Sequence, residues 1–176
     1  MDSTPGRGGT VRSARKMIVE VRPLTTDDQP WVRDVVARDW GSPLVVSPSG
    51  LRDVSGLPGF VAISDDARVG LVTYEIDARH DCEVVTLDSY LPGAGVGTAL
   101  LNKVRDHAVS AGCVRLWLTT TNDNTAALRF YQRRGWNLVA LHRDVLAQWR
   151  KLKPGMSLLG IDGIPMRHAL ELELQI

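Results

Sequence analysis

Leu91-Pro92-Gly93-Ala94-Gly95-Val96-Gly97-Thr98-Ala99-Leu100-Leu101 is the stretch from which this chain is best read. It follows an apolar, strand-like run, Glu83-Val84-Val85-Thr86-Leu87. It opens a helix-like run whose apolar positions Val96, Leu100, Val104, Ala108 and Ala111 keep helical spacing as far as Gly112. A strand, a turn with three glycines and a helix together form a seat for phosphate. The glycines let backbone approach the ligand, and the unpaired N–H groups of the first helical turn attract the anion. Two phosphate loops are excluded. A P-loop ends in Gly-Lys-Ser/Thr, and this chain has Gly97-Thr98-Ala99. A dinucleotide loop needs glycine at its first, third and sixth positions; counted from Gly93 the sixth is Thr98, and counted from Gly95 it is Leu100.

What remains is the pattern x-x-x-Gly-x-Gly over 92–97. One strand further on stands a second signature, Asn124-Thr125-Ala126-Ala127-Leu128-Arg129-Phe130-Tyr131-Gln132-Arg133-Arg134-Gly135-Trp136. In this order, with a helix and the strand 114–121 between them, the two motifs resemble the GNAT superfamily of acetyl-CoA-dependent N-acetyltransferases. The resemblance implies an α/β (α+β) fold, a twisted, mostly antiparallel mixed sheet with helices on both faces. Its central strands, 83–89 and 114–121, would splay to admit acetyl-CoA. The implied reaction is direct acetyl transfer to a primary amine; an acyl-CoA-binding module without turnover is the alternative that the same motifs admit.

The resemblance covers most of the chain, because periodicity and turn residues give a matching order of elements. A strand at 17–21 leads to a helix capped by Thr25, with Asp27, Asp28 and Pro30 in its first turn and Trp31, Val35, Val36 and Trp40 on its apolar face. Residues 41–57, broken by Pro43, Pro48, Gly50 and Gly56, read as an irregular connection. A hairpin follows, 60–63 with 69–76 around Asp65-Asp66-Ala67-Arg68. Then come strand 83–87, helix 95–111, strand 114–118, helix 124–134, strand 136–141, helix 144–152 and a last alternating strand, 169–176.

The resemblance also implies roles for single residues. Gly93, Gly95, Val96, Gly97 and Thr98 would bind the coenzyme pyrophosphate through backbone N–H groups, with the Thr98 hydroxyl as an extra donor. Pro92 stands where the family usually has Gln or Arg, and proline brings no N–H. Val85 and Leu87 would line the coenzyme on the preceding strand. Asn124, an N-cap in its own right, would also bond the pantetheine arm. Tyr131 lies seven residues on, hence on the same helical face; it would touch the coenzyme and protonate the departing thiolate, a role suited to a phenol of pKa near ~10. Packing beside Phe130 is its other reading.

Glu83 is the candidate base. It opens a strand that should be central, where desolvation raises a carboxyl pKa and suits it to deprotonate an ammonium; alternation sets it on one face with Val85 and Leu87. Its other reading is an exposed strand end. Glu75 is a second candidate for the acceptor site, although Tyr74 and Ile76 take the core parity around it. Trp40 is a candidate pocket wall as well as a core residue. His142 and His168 read as surface or satisfied core positions, and Arg150, Lys151 and Lys153 as a solvated face.

Composition sets the frame. The 176 residues form most simply a glycine- and arginine-rich tail at 1–16 and one domain at 17–176. A hydrophobic content of 44%, a charged content of 23% and a net charge of +1 are those of an ordinary globular chain and give no electrostatic case for nucleic acid or membrane as partner. Cys82 and Cys113 lack metal-ligand spacing and read as buried thiols, so no metal is expected. No apolar run reaches membrane-spanning length, and no signal peptide opens the chain; a cytoplasmic enzyme is the default. The expected partner is a small-molecule or peptide amine, and a homodimer is compatible with the sequence.

Overall fold

The computed structural model describes residues 18–176, so the tail read over 1–16 and Met17 lie outside the described residues. The chain runs β1 (Glu20–Pro23), α1 (Gln29–Trp40), β2 (Leu44–Ser47), β3 (Gly50–Asp53), β4 (Gly59–Ser64), β5 (Ala67–Ile76), β6 (Asp81–Ser89), α2 (Val96–Ser110), β7 (Arg115–Thr121), α3 (Thr125–Gln132), β8 (Asn137–His142), α4 (Val145–Leu152) and β9 (Ala169–Gln175). One sheet has the order β1-β4-β5-β6-β7-β9-β8, and β2 pairs with β3 apart from it. Within the main sheet only β6 and β7 are parallel. This is the mixed, mostly antiparallel sheet with helices on both faces that the motifs imply.

Strand alternation divides the core. Leu71 and Val85 pack with Val32, Val35 and Val36 of α1, whereas their neighbours Val72 and Val84 pack with Val96, Leu100 and Val104 of α2. Gly70 lets α2 lie close, since a Cβ there would sit 2.5 Å from Val96 Cγ1. The β4–β5 turn is made by Asp65 and Asp66, both at positive φ, which aspartate tolerates better than bulkier residues. At the edge of the sheet the buried Asp28 carboxylate accepts hydrogen bonds from Arg22, Arg68 and Thr25, tying the start of α1 to β1 and β5. The Arg22 guanidinium and burial oppose each other there, and the pairing wins, holding Asp28 well below the usual carboxylate range.

Three expectations need correction. Residues 41–57 are not irregular: β2 and β3 form a hairpin in register from Leu44↔Asp53 to Ser47↔Gly50. Pro43 and Pro48 interrupt nothing, because one precedes β2 and the other occupies the turn. Second, Leu87 does not share a face with Glu83 and Val85. Thr73 pairs with Thr86 but Tyr74 with Val84, so Val85 has no residue opposite. This bulge reverses the alternation beyond it, and Leu87 packs on the α2 side. Third, Arg150 and Lys153 are not a solvated face. Arg150 binds the carbonyls of Ser157 and Met166 at 2.6 and 2.7 Å, and Lys153 Nζ binds the carbonyl of Trp40 at 2.7 Å. Only Lys151 of the three is exposed. Among the described residues no helix is long and apolar enough to cross a membrane.

Candidate active site

The glycine loop lies where β6 ends and α2 begins. Gly93 and Gly95 take φ of +77° and +78°, a conformation that favours glycine. Gly95 is the N-cap of α2 and offers no side chain, so the first N–H groups of the helix have no intrahelical partner and face outward. A groove of about 620 Å³ runs along this loop, walled by Leu87, Val96, Thr98, Phe130, Tyr131 and Arg134 among others. Arg134 stacks on the Phe130 ring with its guanidinium carbon 3.6 Å from the ring centre, and donates to Thr98 Oγ1 from Nε at 2.9 Å and Nη2 at 2.6 Å. The Thr98 hydroxyl keeps its own proton to donate, with a fixed cation beside it. Unpaired N–H groups, a hydroxyl and a guanidinium on one rim fit a pyrophosphate. Pro92 lines the same groove and adds only its ring.

Beyond the loop the sheet opens. β6 and β7 pair only through Asp81↔Arg115, Cys82↔Leu116 and Glu83↔Trp117. Past Glu83 they diverge, leaving a cavity of about 320 Å³ whose walls include Val85, Leu87, Thr119, Asn124 and Tyr131. Asn124 caps α3, its Oδ1 accepting the Ala127 N–H at 3.0 Å, so its Nδ2 donors remain for a ligand. Tyr131 is buried between Phe130 and Trp136, with ring centres 5.2 and 5.4 Å away. Its hydroxyl makes no hydrogen bond to another described residue, and burial pushes its pKa up, so it stays protonated at neutral pH.

At the far end a cavity of about 400 Å³ is enclosed by the hairpin, β7 and α4. Glu83 lies in its wall, 4% exposed. Burial raises the Glu83 pKa, against the opposing pull of the Ser47 and Ser49 hydroxyls and Arg52. Arg52 donates to Glu83 Oε2 at 2.8 Å and meets Glu75 Oε2 at 2.7 Å. Glu83 and Glu75 are opposite residues on β6 and β5, so one guanidinium serves both carboxylates. Glu75 faces a separate recess with Ser49, Asp77, Asp81 and Trp117, and only Glu83 borders both spaces. Trp40 lines this far cavity and the central one, and its indole N–H donates to Asp88 at 3.1 Å. Asp88, also in the central wall, is pushed up to about 6 by burial, against that hydrogen bond.

Glu83, Tyr131, Asn124, Val85, Leu87, Trp40 and the glycine loop thus meet along one cleft, and Glu75 stands beside it. Three residues of the cleft escaped the sequence reading, and a fourth, Lys153, reads there only as part of a solvated face. Arg52 hid in the segment taken as irregular, although β-branched Val45-Val46 before Pro48-Ser49-Gly50 is a short hairpin signal. Arg134 stands four residues after Phe130, the spacing of a stacked pair on a helix. Asp88 and Lys153 gave no local signal. His142 contacts Glu171 at 2.8 Å and His168 accepts the Asp144 N–H at 2.9 Å, both outside the cleft. Cys82 and Cys113 are buried free thiols, and no described cluster of His, Cys, Asp and Glu could hold a metal ion.

Comparison with known proteins shows the family to which this fold belongs. The model of the acetyltransferase (GNAT) family matches residues 22–136. YxbD of Bacillus subtilis strain 168, an uncharacterised protein, is 42% identical over 141 residues, covering 78% of this chain and 88% of its own. YdhI of the same organism, also uncharacterised, is 39% identical over 138 residues, covering 78% and 86%. Among solved structures, a Bacillus subtilis acetyltransferase in complex with CoA superposes with a TM-score of 0.65 at 18% identity, over 91% of this chain and 99% of that one.

Proposed function

The chain belongs to the acetyltransferase (GNAT) family and is an acetyl-CoA-dependent acetyltransferase, and from that premise we propose that it acetylates a primary amine directly within the cleft. One observation carries the reading: the three cavities adjoin one another through shared walls. Tyr131 and Leu87 border both the glycine-loop groove and the central cavity, and Trp40, Val85 and Asn124 border both the central and the acceptor-side cavity. An anion seat, a narrow passage and a pocket with a buried carboxylate follow one another in the order that group transfer needs.

Acetyl-CoA supplies the acetyl group as a thioester and leaves as the thiol. The N–H groups at the start of α2, with Thr98 and Arg134, hold its pyrophosphate. Asn124 Nδ2 and the walls formed by Val85 and Leu87 orient the arm. The bulge at Val85 frees backbone from the ladder, and an N–H there polarises the carbonyl as charge develops on its oxygen. Glu83 takes the proton of the incoming ammonium, directly or through water, and its raised pKa makes it a stronger base than an exposed carboxylate. As the new C–N bond forms and the C–S bond breaks, Tyr131 gives its proton to the sulfur, and the proton that the nitrogen then sheds restores the phenol.

The test is release of free thiol from acetyl-CoA across a mixed library of amines, with identification of the acetylated product by mass. Amine-dependent release above the hydrolytic background is expected. Coenzyme binding with no acceptor-dependent release from any amine would refute the assignment of an amine acceptor.

A further inference from the structure

The acceptor-side cavity has an uneven charge census. Three charged side chains lie in its wall: Asp39, Glu83 and Lys153. Asp39 is fully engaged, since Arg38 donates to both of its oxygens at 2.6 and 2.8 Å and the Tyr90 hydroxyl donates to one at 3.0 Å. Glu83 shares its guanidinium with Glu75, so this triad keeps one net negative charge whenever both carboxylates are ionised.

Lys153 is the opposite case. Its ammonium spends one of three donors on the Trp40 carbonyl at 2.7 Å, and no described carboxylate lies within ion-pairing distance. It is partly buried, and desolvation lowers its pKa. A half-buried ammonium that borders a cavity and has no counter-ion is completed by an anionic group of a ligand. The wall therefore offers on β6 a carboxylate that has only a shared cation, and just after α4 a cation with no described carboxylate partner. The same cavity is lined by Val45, Val46, Trp149, Met156 and Met166, an apolar wall.

Building on acetyl transfer at this site, we propose that the acceptor is a zwitterionic amine, a free amino acid with an apolar side chain, whose carboxylate binds Lys153 and whose amine faces Glu83. The cavity, at about 400 Å³, has room for such a molecule. The same lysine repels acceptors that carry several positive charges. A peptide N-terminus, its carboxylate tied up in an amide, leaves Lys153 unmatched.

Thiol release is measured with methionine, leucine and phenylalanine, with their amides, with isoamylamine and with spermidine. The amino acids are expected to exceed their amides in kcat/KM by at least about tenfold, mostly through KM, as for a charge pair only partly withdrawn from water. Lys153→Met should bring that ratio close to one while acetyl-CoA still raises the melting temperature, and Lys153→Arg, which keeps the charge, should restore much of it. Amides or spermidine serving as well as the amino acids would overturn the proposal while leaving amine acetylation intact, as would a preference that survives in Lys153→Met. Coenzyme binding without acceptor-dependent release from any compound would overturn both readings.

Discussion

Replacing Arg52 with methionine removes a guanidinium that sits 2.8 Å from Glu83 and 2.7 Å from Glu75, and keeps most of the volume of the side chain. The two carboxylates respond differently. Glu75 has a side chain 45% exposed and stays hydrated, whereas that of Glu83 is only 5% exposed and loses its one cationic neighbour. An opposite charge at such range lowers a carboxyl pKa by about 1–3 units. Burial already raises Glu83 against that pull, so its loss drives the pKa further up. If Glu83 is the base, the acidic limb of the rate profile moves to higher pH by about 1–3 units in Arg52→Met. Below the displaced limb turnover falls about tenfold per unit, since one pKa unit corresponds to about 1.36 kcal/mol. Stability follows the same sign. A carboxyl whose folded pKa exceeds its unfolded value contributes stability below the unfolded pKa of about 4.3 and loses it as pH rises through the folded pKa, so Arg52→Met goes on losing stability with rising pH after the parent's curve has levelled off. The assay is thiol release from pH 5 to 9 with a good acceptor, on parent, Arg52→Met and Glu83→Gln, with melting curves alongside. Glu83→Gln should abolish the limb without weakening coenzyme binding. A limb that keeps its position in Arg52→Met refutes the assignment of Glu83, because no group so close to a removed cation can ignore its loss.

Three further outcomes are expected. Tyr131→Phe keeps the packing against Phe130 and Trp136 but deletes the proton, and turnover should drop by about 10²–10⁴ with acetyl-CoA affinity little changed; survival within a few-fold would reduce Tyr131 to a core residue. Gly95→Val forces a β-branched residue to φ +78°, at a cost of about 1–2 kcal/mol, and should erase the rise in melting temperature that acetyl-CoA gives the parent; an intact rise in a folded variant would show that the loop does not hold the coenzyme. Asp88, pushed up to about 6, binds a proton in the folded state that the unfolded chain releases near pH 4, so stability should decline as pH climbs from 4 to 6. Melting curves across this range should lose that decline in Asp88→Asn, and an unaltered slope would show that another group titrates.

The legible parts of this molecule were those whose chemistry is local. Gly95 and Asn124 begin helices for reasons contained in a few residues, a left-handed turn and a side-chain cap, and each marks a wall of the cleft. Glu83 could be placed because a polar residue opening an apolar run is visible in the run itself. The illegible parts depend on partners far along the chain. Nothing in Glu83-Val84-Val85-Thr86-Leu87 announces the bulge, which exists because β5 pairs out of step with β6, and so the face of Leu87 was misjudged. Arg52 reaches its carboxylates across 23 and 31 residues, from a hairpin whose prolines flank the strands instead of breaking them. Lys153 crosses to the end of α1, a contact that no periodicity encodes.

The shallow pairing of β6 with β7 makes the sheet, mechanically, two plates joined by a short weld. One plate is β1-β4-β5-β6, the other β7-β9-β8, and three residue pairs connect them. Arg115 rivets the seam, reaching Asp81 on the first plate and Glu173 on the second. Beyond the weld each rim keeps its own ladder, β6 with β5 and β7 with β9, but none to the other, and a ligand whose amide groups bond to both rims would serve as the missing strand. A coenzyme bound there would be a structural member as well as a reagent. Those amide hydrogens of 84–88 and 118–121 that point into the gap, and not to β5 or β9, should exchange more readily in the free protein and slow together when a coenzyme binds, while those of the weld at 81–83 stay protected throughout.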